Sequence, residues 1–520
     1  MKEIWLVSRE LAGWAEAGGV KDVVGDQSRA FFHVGWKATV VLPLYGFLRD
    51  RVEAAGQKLW TGTSAHPGRP VPLEAWMVRE RDRDLVFLQS PGFDDKQSLY
   101  TYTSVDEVRN PSHIRGQGFV DTFSINLEFQ WAVASFWASV PQAPSFVLGH
   151  DGHTGFLAAI CRTHPPFGNS FGSTVFGLLI HNAGPGYRQE MPATPLHEGL
   201  LGLGPVEVRG SLLDHQYDPV VSASRHGRLA TVSENYAAEL TTGRNDHWSG
   251  PFGKWLRSTG TPLVGITNGI ATDDKDPRDP QASGLPVGFD PLKGEWEGKA
   301  LCRRFLRERL LLKPAATYGR LVRWEGPLYV MQGRLTTQKG VDALIELTAR
   351  VLRENFHASV LIMAQGERIY EERLVQLARS SVDTGRFLFV NKFEEDLAQL
   401  VFAAGDFFLM PSEYEPCGLT DLKAQLMGTL PIVHRVGGLV KVHDGQTGFS
   451  YEKGRAGGLW GAFLRSYDAW EHHPDRIAQM RRTAFLGVLE EFQWPRILEE
   501  RYLPWLTQGI RTPILSGSPT

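Results

Sequence analysis

Residues 328–354 read LYVMQGRLTTQKGVDALIELTARVLRE. The first seven residues form a short, nearly continuous apolar run, as expected of a strand covered on both faces. The last fourteen carry apolar residues at helical spacing. A glycine-bounded polar loop, 333–340, overlaps the end of the apolar run and carries two cations, Arg334 and Lys339. Strand, loop and amphipathic helix make one half of a parallel α/β unit. The same pattern recurs along most of the chain. Apolar runs at 4–8, 39–44, 85–89, 146–150, 175–181 and 229–233 form one set. Runs at 360–366, 387–390, 407–412 and 430–435, with a further helical segment at 371–380, join the first run in a second set. The alternation predicts an α/β protein with parallel sheets.

The two sets are separated by a polar stretch, 273–297, rich in Pro, Gly and Asp. This reading divides the chain into a Rossmann-like domain over 1–272, a second over 273–490, and a terminal helix and tail over 491–520. Residues 94–121 and 191–218 have weak periodicity and read as loop insertions in the first domain. The amphipathic stretch 495–506 can pack on either domain. Ligands of doubly wound sheets bind at the carboxyl ends of the strands, near the point where strand order reverses. Two such edges facing one another would make a cleft, so the residues just after strands are the candidates.

Composition narrows the function. The chain has 520 residues, 55 Lys plus Arg against 58 Asp plus Glu, and a formal net charge of −3. That balance argues against a dedicated nucleic-acid binder. No apolar run approaches the roughly 18 residues of a membrane span. Three scattered cysteines suit a reducing, cytoplasmic compartment and no disulfide framework. The 55 glycines exceed the 36 or so of average usage, which points to tight turns or to backbone approaching a ligand.

Five motifs sit at strand ends. EAGGVKDVVG (16–25) places Gly18 and Gly19 between a strand and a helix, where backbone N–H groups can meet an anion. A plain tight turn is the alternative. FVLGHDGHTGF (146–156) ends a strand in His150, Asp151 and His153. No third ligand lies near the two histidines, so a polar loop for a hydroxyl-rich substrate is preferred to zinc. A helix start capped by Asp151 competes with that reading. LLIHNAGPGY (178–187) ends a strand in His181 and Asn182, with His181 either structural or functional. GRLTTQKG (333–340) offers Arg334 as a fork and Lys339 as a point charge to a diphosphate. SEYEPCGLTDLKAQLMGTLPIVHRVGGL (412–439) places Glu415 after a strand and opens a helix with the N–H groups of Gly418, Leu419 and Thr420. Cys417 either packs or lines the site, and Gly437 and Gly438 end the next strand. The G-x-S-x-G match at 168–172 precedes its strand, which the nucleophile elbow does not allow. There is no Walker A or H-E-x-x-H sequence.

In this order the motifs resemble those of bacterial glycogen synthase and plant starch synthase, glycosyltransferase family 5. The loop at 16–20 resembles K-x-G-G-L, 150–153 resembles H-D-W-H, and 180–182 resembles T-I-H-N. T-V-S-x-x-Y matches 231–236, N-G-I-D resembles 268–271, and F-S-W resembles 492–494. R-L-t-x-Q-K-G is intact at 334–340 and E-P-C-G-L-T at 415–420. The resemblance implies a GT-B fold: two Rossmann-like domains across a deep cleft, with a C-terminal helix crossing back to the first domain. It implies retaining transfer of glucose from ADP-glucose to the non-reducing end of an α-1,4-glucan, with no metal or other cofactor. Arg334 and Lys339 would hold the diphosphate and stabilise the leaving group. Glu415, Cys417, Gly418, Leu419, Thr420, Gly437 and Gly438 would surround the donor. Asp151 and His181 would line the sugar side, and Asn182 and the backbone at Gly18 and Gly19 would bind donor or substrate.

Four positions depart from the family pattern. The loop lysine is Glu16, the acidic position of G-G-L-x-D is Lys441, the tryptophan of H-D-W-H is Gly152, and the glutamine of G-L-T-Q is Asp421. A carboxylate beside a diphosphate costs about 4 kcal/mol per charge pair at about 4 Å and an effective dielectric of about 20. The reversed signs of Glu16 and Lys441 suggest a couple re-paired across the cleft, or a replacement cation in Lys21 or Lys441. UDP-glucose as donor, and a weak glucan-binding or regulatory role, are the alternatives. The tryptophans are candidate stacking surfaces for acceptor sugars.

Overall fold

The computed structural model describes residues 2–508, except 245, 313–315, 355, 393–394 and 455–456. The tail expected after 508 lies outside the described residues. The chain forms two compact units. Unit 1 comprises residues 1–232, 237–266 and the segment from 494 onward; unit 2 comprises 233–236 and 267–493.

Unit 1 is built on a nine-stranded sheet. Its strands in chain order are β1 (Lys2–Val7), β2 (Trp36–Pro43), β3 (Gln57–Thr63), β4 (Pro72–Arg79), β5 (Asp84–Gln89), β6 (Phe146–His150), β7 (Val175–Ile180), β11 (Arg228–Thr231) and β12 (Leu263–Gly265). The small strands β8 (Met191–Pro192), β9 (Leu212–Leu213) and β10 (Gln216–Tyr217) form a separate three-stranded sheet inside the second expected insertion. The spatial order of the large sheet is β12-β11-β7-β6-β1-β2-β5-β4-β3. All neighbours from β12 to β5 pair in parallel, while β4 and β3 are antiparallel additions. The β3–β4 hairpin escaped the sequence reading because QKLWTGT is largely exposed and PLEAWMVR alternates, so neither is a continuous apolar run.

Unit 2 holds seven strands: β13 (Thr317–Leu321), β14 (Leu328–Leu335), β15 (Ser359–Gly366), β16 (Arg386–Val390), β17 (Phe407–Met410), β18 (Leu430–His434) and β19 (Phe449–Tyr451). Their order is β13-β16-β15-β14-β17-β18-β19, with only β13 antiparallel. The core explains the continuous apolar runs. Tyr329, Met331, Val360, Ile362, Phe387, Phe389, Phe407 and Leu409 enter one hydrophobic cluster. Their neighbours Leu328, Val330, Leu361, Met363, Leu388, Val390, Phe408 and Met410 enter another. Odd and even positions therefore face opposite covered sides of the same sheet.

Strand order reverses between β1 and β6 in unit 1, and between β14 and β17 in unit 2. The segments leaving those four strands are 8–19, 151–156, 336–340 and 411–419.

Residues 494–508 close unit 1. Trp494 is 2% exposed, and Trp505 packs over Gly177 of β7, where an added Cβ would come within 2.8 Å of its ring. The Arg228 guanidinium donates to the carbonyls of Trp505 and Gln508. Of the two placements open to 495–506, the structure takes the first domain.

Candidate functional site

In unit 1, the loop after β1 turns back through Gly18 and Gly19 into helix α1 (Val20–His33). Glu10 occupies the inside of that turn at 4% exposure. Its carboxylate accepts the Gly18 N–H at 2.7 Å and the Tyr100 hydroxyl at 2.7 Å. The Gly18 amide expected to meet a ligand anion is thus already bound to an internal carboxylate. Arg9, also buried, donates to Tyr45 at 3.0 Å, to Asn126 at 2.7 Å and to the Leu99 carbonyl. Tyr100, supplied by the first insertion, stacks on His153 with centroids 5.4 Å apart.

Asp151 follows β6 with φ 58°, a left-handed conformation rare for a residue with a side chain. It does not cap the short helical turn after it. Its carboxyl instead accepts the His181 N–H at 2.7 Å, tying the end of β6 to the end of β7. Burial, with the nearby charge of Glu10 adding to it, pushes that carboxyl up to about 8. Burial pushes the His181 imidazole down to about 3, so it is neutral at pH 7. Its Nε2 lies 3.0 Å from His150 Nδ1, and the two rings stack. Asn182 accepts the Gly184 N–H at 2.8 Å, shaping the turn that follows. The structure brings Asp151 and His181, expected at the ends of two strands, into direct contact, and adds Glu10 and Tyr100, which were not among the expected residues. Glu10 had a signal, its position just past a strand at the switch point; Tyr100, inside an irregular insertion, had none.

The departures at Gly152 and Glu16 have local causes. A Cβ at Gly152 would lie 1.8 Å from the Arg188 carbonyl oxygen, so the loop leaves no room for a side chain. Arg188 itself is buried, bonded to Asp218 at 2.8 Å and to the Ala183 and Ser249 carbonyls. Glu16 accepts the Gly13 N–H and pairs with Lys21 at 3.0 Å. The Gly13 N–H, ahead of Lys21, holds its carboxyl below the ordinary range.

In unit 2, Arg334 lies near the end of β14, exposed, its guanidinium making no hydrogen bond or ion pair among the described residues. Lys339 follows in a short helical turn, and Gly340 (φ 67°) passes so close to Pro411 that a Cβ would meet its carbonyl at 2.0 Å. The Gln338 carbonyl accepts the Glu413 N–H at 2.8 Å, drawing the two switch-point loops together. Lys339 Nζ then sits 2.5 Å from Glu415 Oε2, which also accepts the Ser412 hydroxyl at 3.0 Å. Glu415 Oε1 has no hydrogen bond among the described residues. Behind this, Gly438 N–H donates to the Glu415 carbonyl at 3.0 Å, and a Cβ at Gly437 would meet that carbonyl at 1.9 Å. Ser233 and Asn235, assigned to unit 2, donate to the carbonyls of Pro416 and Gly437 at 2.6 and 2.9 Å. Cys417 packs in this turn, and burial pushes its thiol up to about 11.

Lys441 pairs with Asp421 at 3.1 Å. Glu16 and Lys441, suggested by the sequence as one couple, each have an ion-pair partner inside their own unit. The opposite charges that explain Glu16 and Lys441 stand at Lys21 and Asp421, and Lys21 is not a spare cation. None of the tryptophans is exposed among the described residues, so a stacking platform for acceptor sugars is not offered by an exposed indole. No group of three or more His, Cys, Asp or Glu among the described residues is placed to hold a metal ion. No described helix is long and apolar enough to cross a membrane.

Comparison with known proteins agrees with the two-unit division. The starch synthase catalytic domain model matches residues 3–252, and a glycosyl transferases group 1 model matches 326–468. By both matches, and by relatives similar over nearly its whole length, the chain is similar to the bacterial glycogen synthases and plant starch synthases. The glycogen synthase of Syntrophotalea carbinolica is 29% identical over 516 residues, covering 94% of this chain and 96% of that protein. That of Vibrio cholerae is 27% identical, covering 96% and 97%. The catalytic domain of starch synthase IV from Arabidopsis thaliana, solved with ADP and acarbose, superposes with a TM-score of 0.78 at 22% identity, over 98% of this chain and 99% of that one. Sucrose-phosphate synthase from Thermosynechococcus elongatus gives 0.56 at 16% identity, over 97% and 98%. The fold is GT-B, and the family's members are glycosyltransferases.

Proposed function

We propose that this chain transfers glucose from ADP-glucose to the non-reducing end of an α-1,4-glucan, with retention and without a metal. The observation that carries the reading is the Lys339–Glu415–Ser412 cluster at the switch point of unit 2, with the unpartnered guanidinium of Arg334 on the strand that leads into it. An ammonium has three protons. One of Lys339's is on Glu415, which leaves two for diphosphate oxygens. Arg334 adds a planar fork at no cost of breaking an existing bond. Together they meet the charge that develops on departing ADP. Glu415 Oε1 is left to accept a hydroxyl of the transferred sugar. In unit 1, neutral His181 acts by hydrogen bonding rather than by charge, with its backbone fixed by Asp151. Three free, buried cysteines suit a reducing, cytoplasmic setting.

A donor-competition assay with a glycogen primer tests this. The expected result is transfer to the primer with kcat/KM for ADP-glucose at least tenfold above that for UDP-glucose. A preference for UDP-glucose would overturn the donor assignment. Absence of glucan extension with either donor would leave a glucan-binding role instead.

A further inference from the structure

Lys441 follows the Gly437–Gly438 turn, and its side chain folds back beneath residues 417–421. The ammonium lies 2.7 Å from the Cys417 carbonyl, 2.8 Å from that of Gly418 and 3.1 Å from that of Gly438. Asp421 Oδ2 is the fourth oxygen around it, at 3.1 Å. Only 8% of the Lys441 side chain is exposed, and none of Asp421's. Three protons among four oxygens leave nothing to offer a ligand. Lys441 therefore does not act as a replacement diphosphate cation.

Its effect is on the backbone. In a planar trans peptide the C=O and N–H point in opposite directions. Drawing the Cys417 and Gly418 carbonyls onto one ammonium turns the N–H groups of Gly418 and Leu419 away from it. Neither N–H has a hydrogen-bond partner among the described residues. Gly418 adopts φ 73°, and a Cβ there would come within 2.9 Å of Asp421 Oδ1. The glycine, the lysine and the aspartate thus specify one backbone geometry together. Three carbonyl dipoles converging on one point repel each other unless a cation sits between them.

We propose that Lys441, charge-balanced by Asp421, is a positioning residue that holds the Gly418 and Leu419 N–H groups in the orientation that receives the donor diphosphate. The idea rests on the proposed function for the identity of the ligand, but the backbone geometry can be tested without it.

The test compares wild type with the Asp421→Asn/Lys441→Met double variant, since Lys441→Met alone strands a buried carboxylate. Crystal structures of both without ligand are expected to show the 417–418 or 418–419 peptide rotated in the variant. Calorimetry is expected to show ADP and inorganic pyrophosphate affinity at least tenfold weaker. KM for ADP-glucose should rise at least tenfold, with kcat changed less than threefold and Tm within a few degrees. Asp421→Asn/Lys441→Gln, which keeps two N–H donors for the carbonyls, should lose less affinity. Unmoved peptides, or rotated peptides with unchanged pyrophosphate affinity, would overturn the inference. If wild type binds pyrophosphate but neither binds ADP nor uses ADP-glucose, the proposed donor falls while the peptide geometry still decides this point.

Discussion

Two turns of this protein meet the same problem in different ways. The 10–21 turn of unit 1 and the 415–421 turn of unit 2 each lead from a switch-point strand into a helix, and each carries residues of unexpected charge. In unit 1 the pair is Glu16 and Lys21, with side-chain exposures of 44% and 26%. In unit 2 it is Asp421 and Lys441, at 0% and 8%. Water screens the first pair, so its charges are nearly interchangeable with others. The second pair has no water to replace a lost partner, so each residue requires the other. The same sequence event, a reversed sign, is a surface detail in one unit and part of the frame in the other.

The sharpest way to break that contrast is to remove one cation from each pair. Lys441→Met should cost about 3–5 kcal/mol of stability by leaving Asp421 buried and unpaired. Lys21→Met should cost about 0–1 kcal/mol. Denaturant unfolding of the two variants would read this, and equal losses would erase the distinction. Next in size, Arg334→Ala should lower kcat by about 10²–10³-fold. Because Arg334 is exposed and unpartnered, Tm should not move, which separates a ligand-facing cation from the framing cation Lys441.

A pH series sharpens the unit 1 side. The Asp151 carboxyl is raised to about 8 from 3.8. A group shifted upward contributes stability that is fully present below about pH 4 and is lost as pH rises toward 8. The imidazole of His181, lowered to about 3 from 6.5, gives the opposite limb, lost as pH falls from 6.5 toward 3. Asp151→Asn should remove the decline between pH 5 and 8, raising Tm at pH 8 by at least about 3 °C, while leaving the acid limb in place. Scanning calorimetry across pH would check it. Least of all, Glu16→Gln should change stability by less than about 1 kcal/mol and KM for ADP-glucose by less than about threefold. A large KM change would mean that Glu16 leaves Lys21 when donor binds.

Much of the fold was legible because it rests on one-dimensional patterns. Doubly covered strands are continuous apolar runs, and β14 with its loop and helix can be read from period alone. Arg334, Lys339 and Glu415 are visible because chemistry at a strand end needs few residues, close together in the chain. Asp151 and His181 are visible for the same reason, each at the end of its own strand.

What pairs with what could not be read this way. Glu10 meets Tyr100 across 90 residues, Lys339 meets Glu415 across 76, and Gly152 meets the Arg188 backbone across 36. Those contacts depend on strand order, which decides which loops share an edge of the sheet. From the sequence, Glu16 and Lys441 were two anomalies of opposite sign, and opposite signs suggested one couple. The tertiary structure gives each a partner inside its own unit, because an ion pair acts over ångströms and only the folded chain sets those distances.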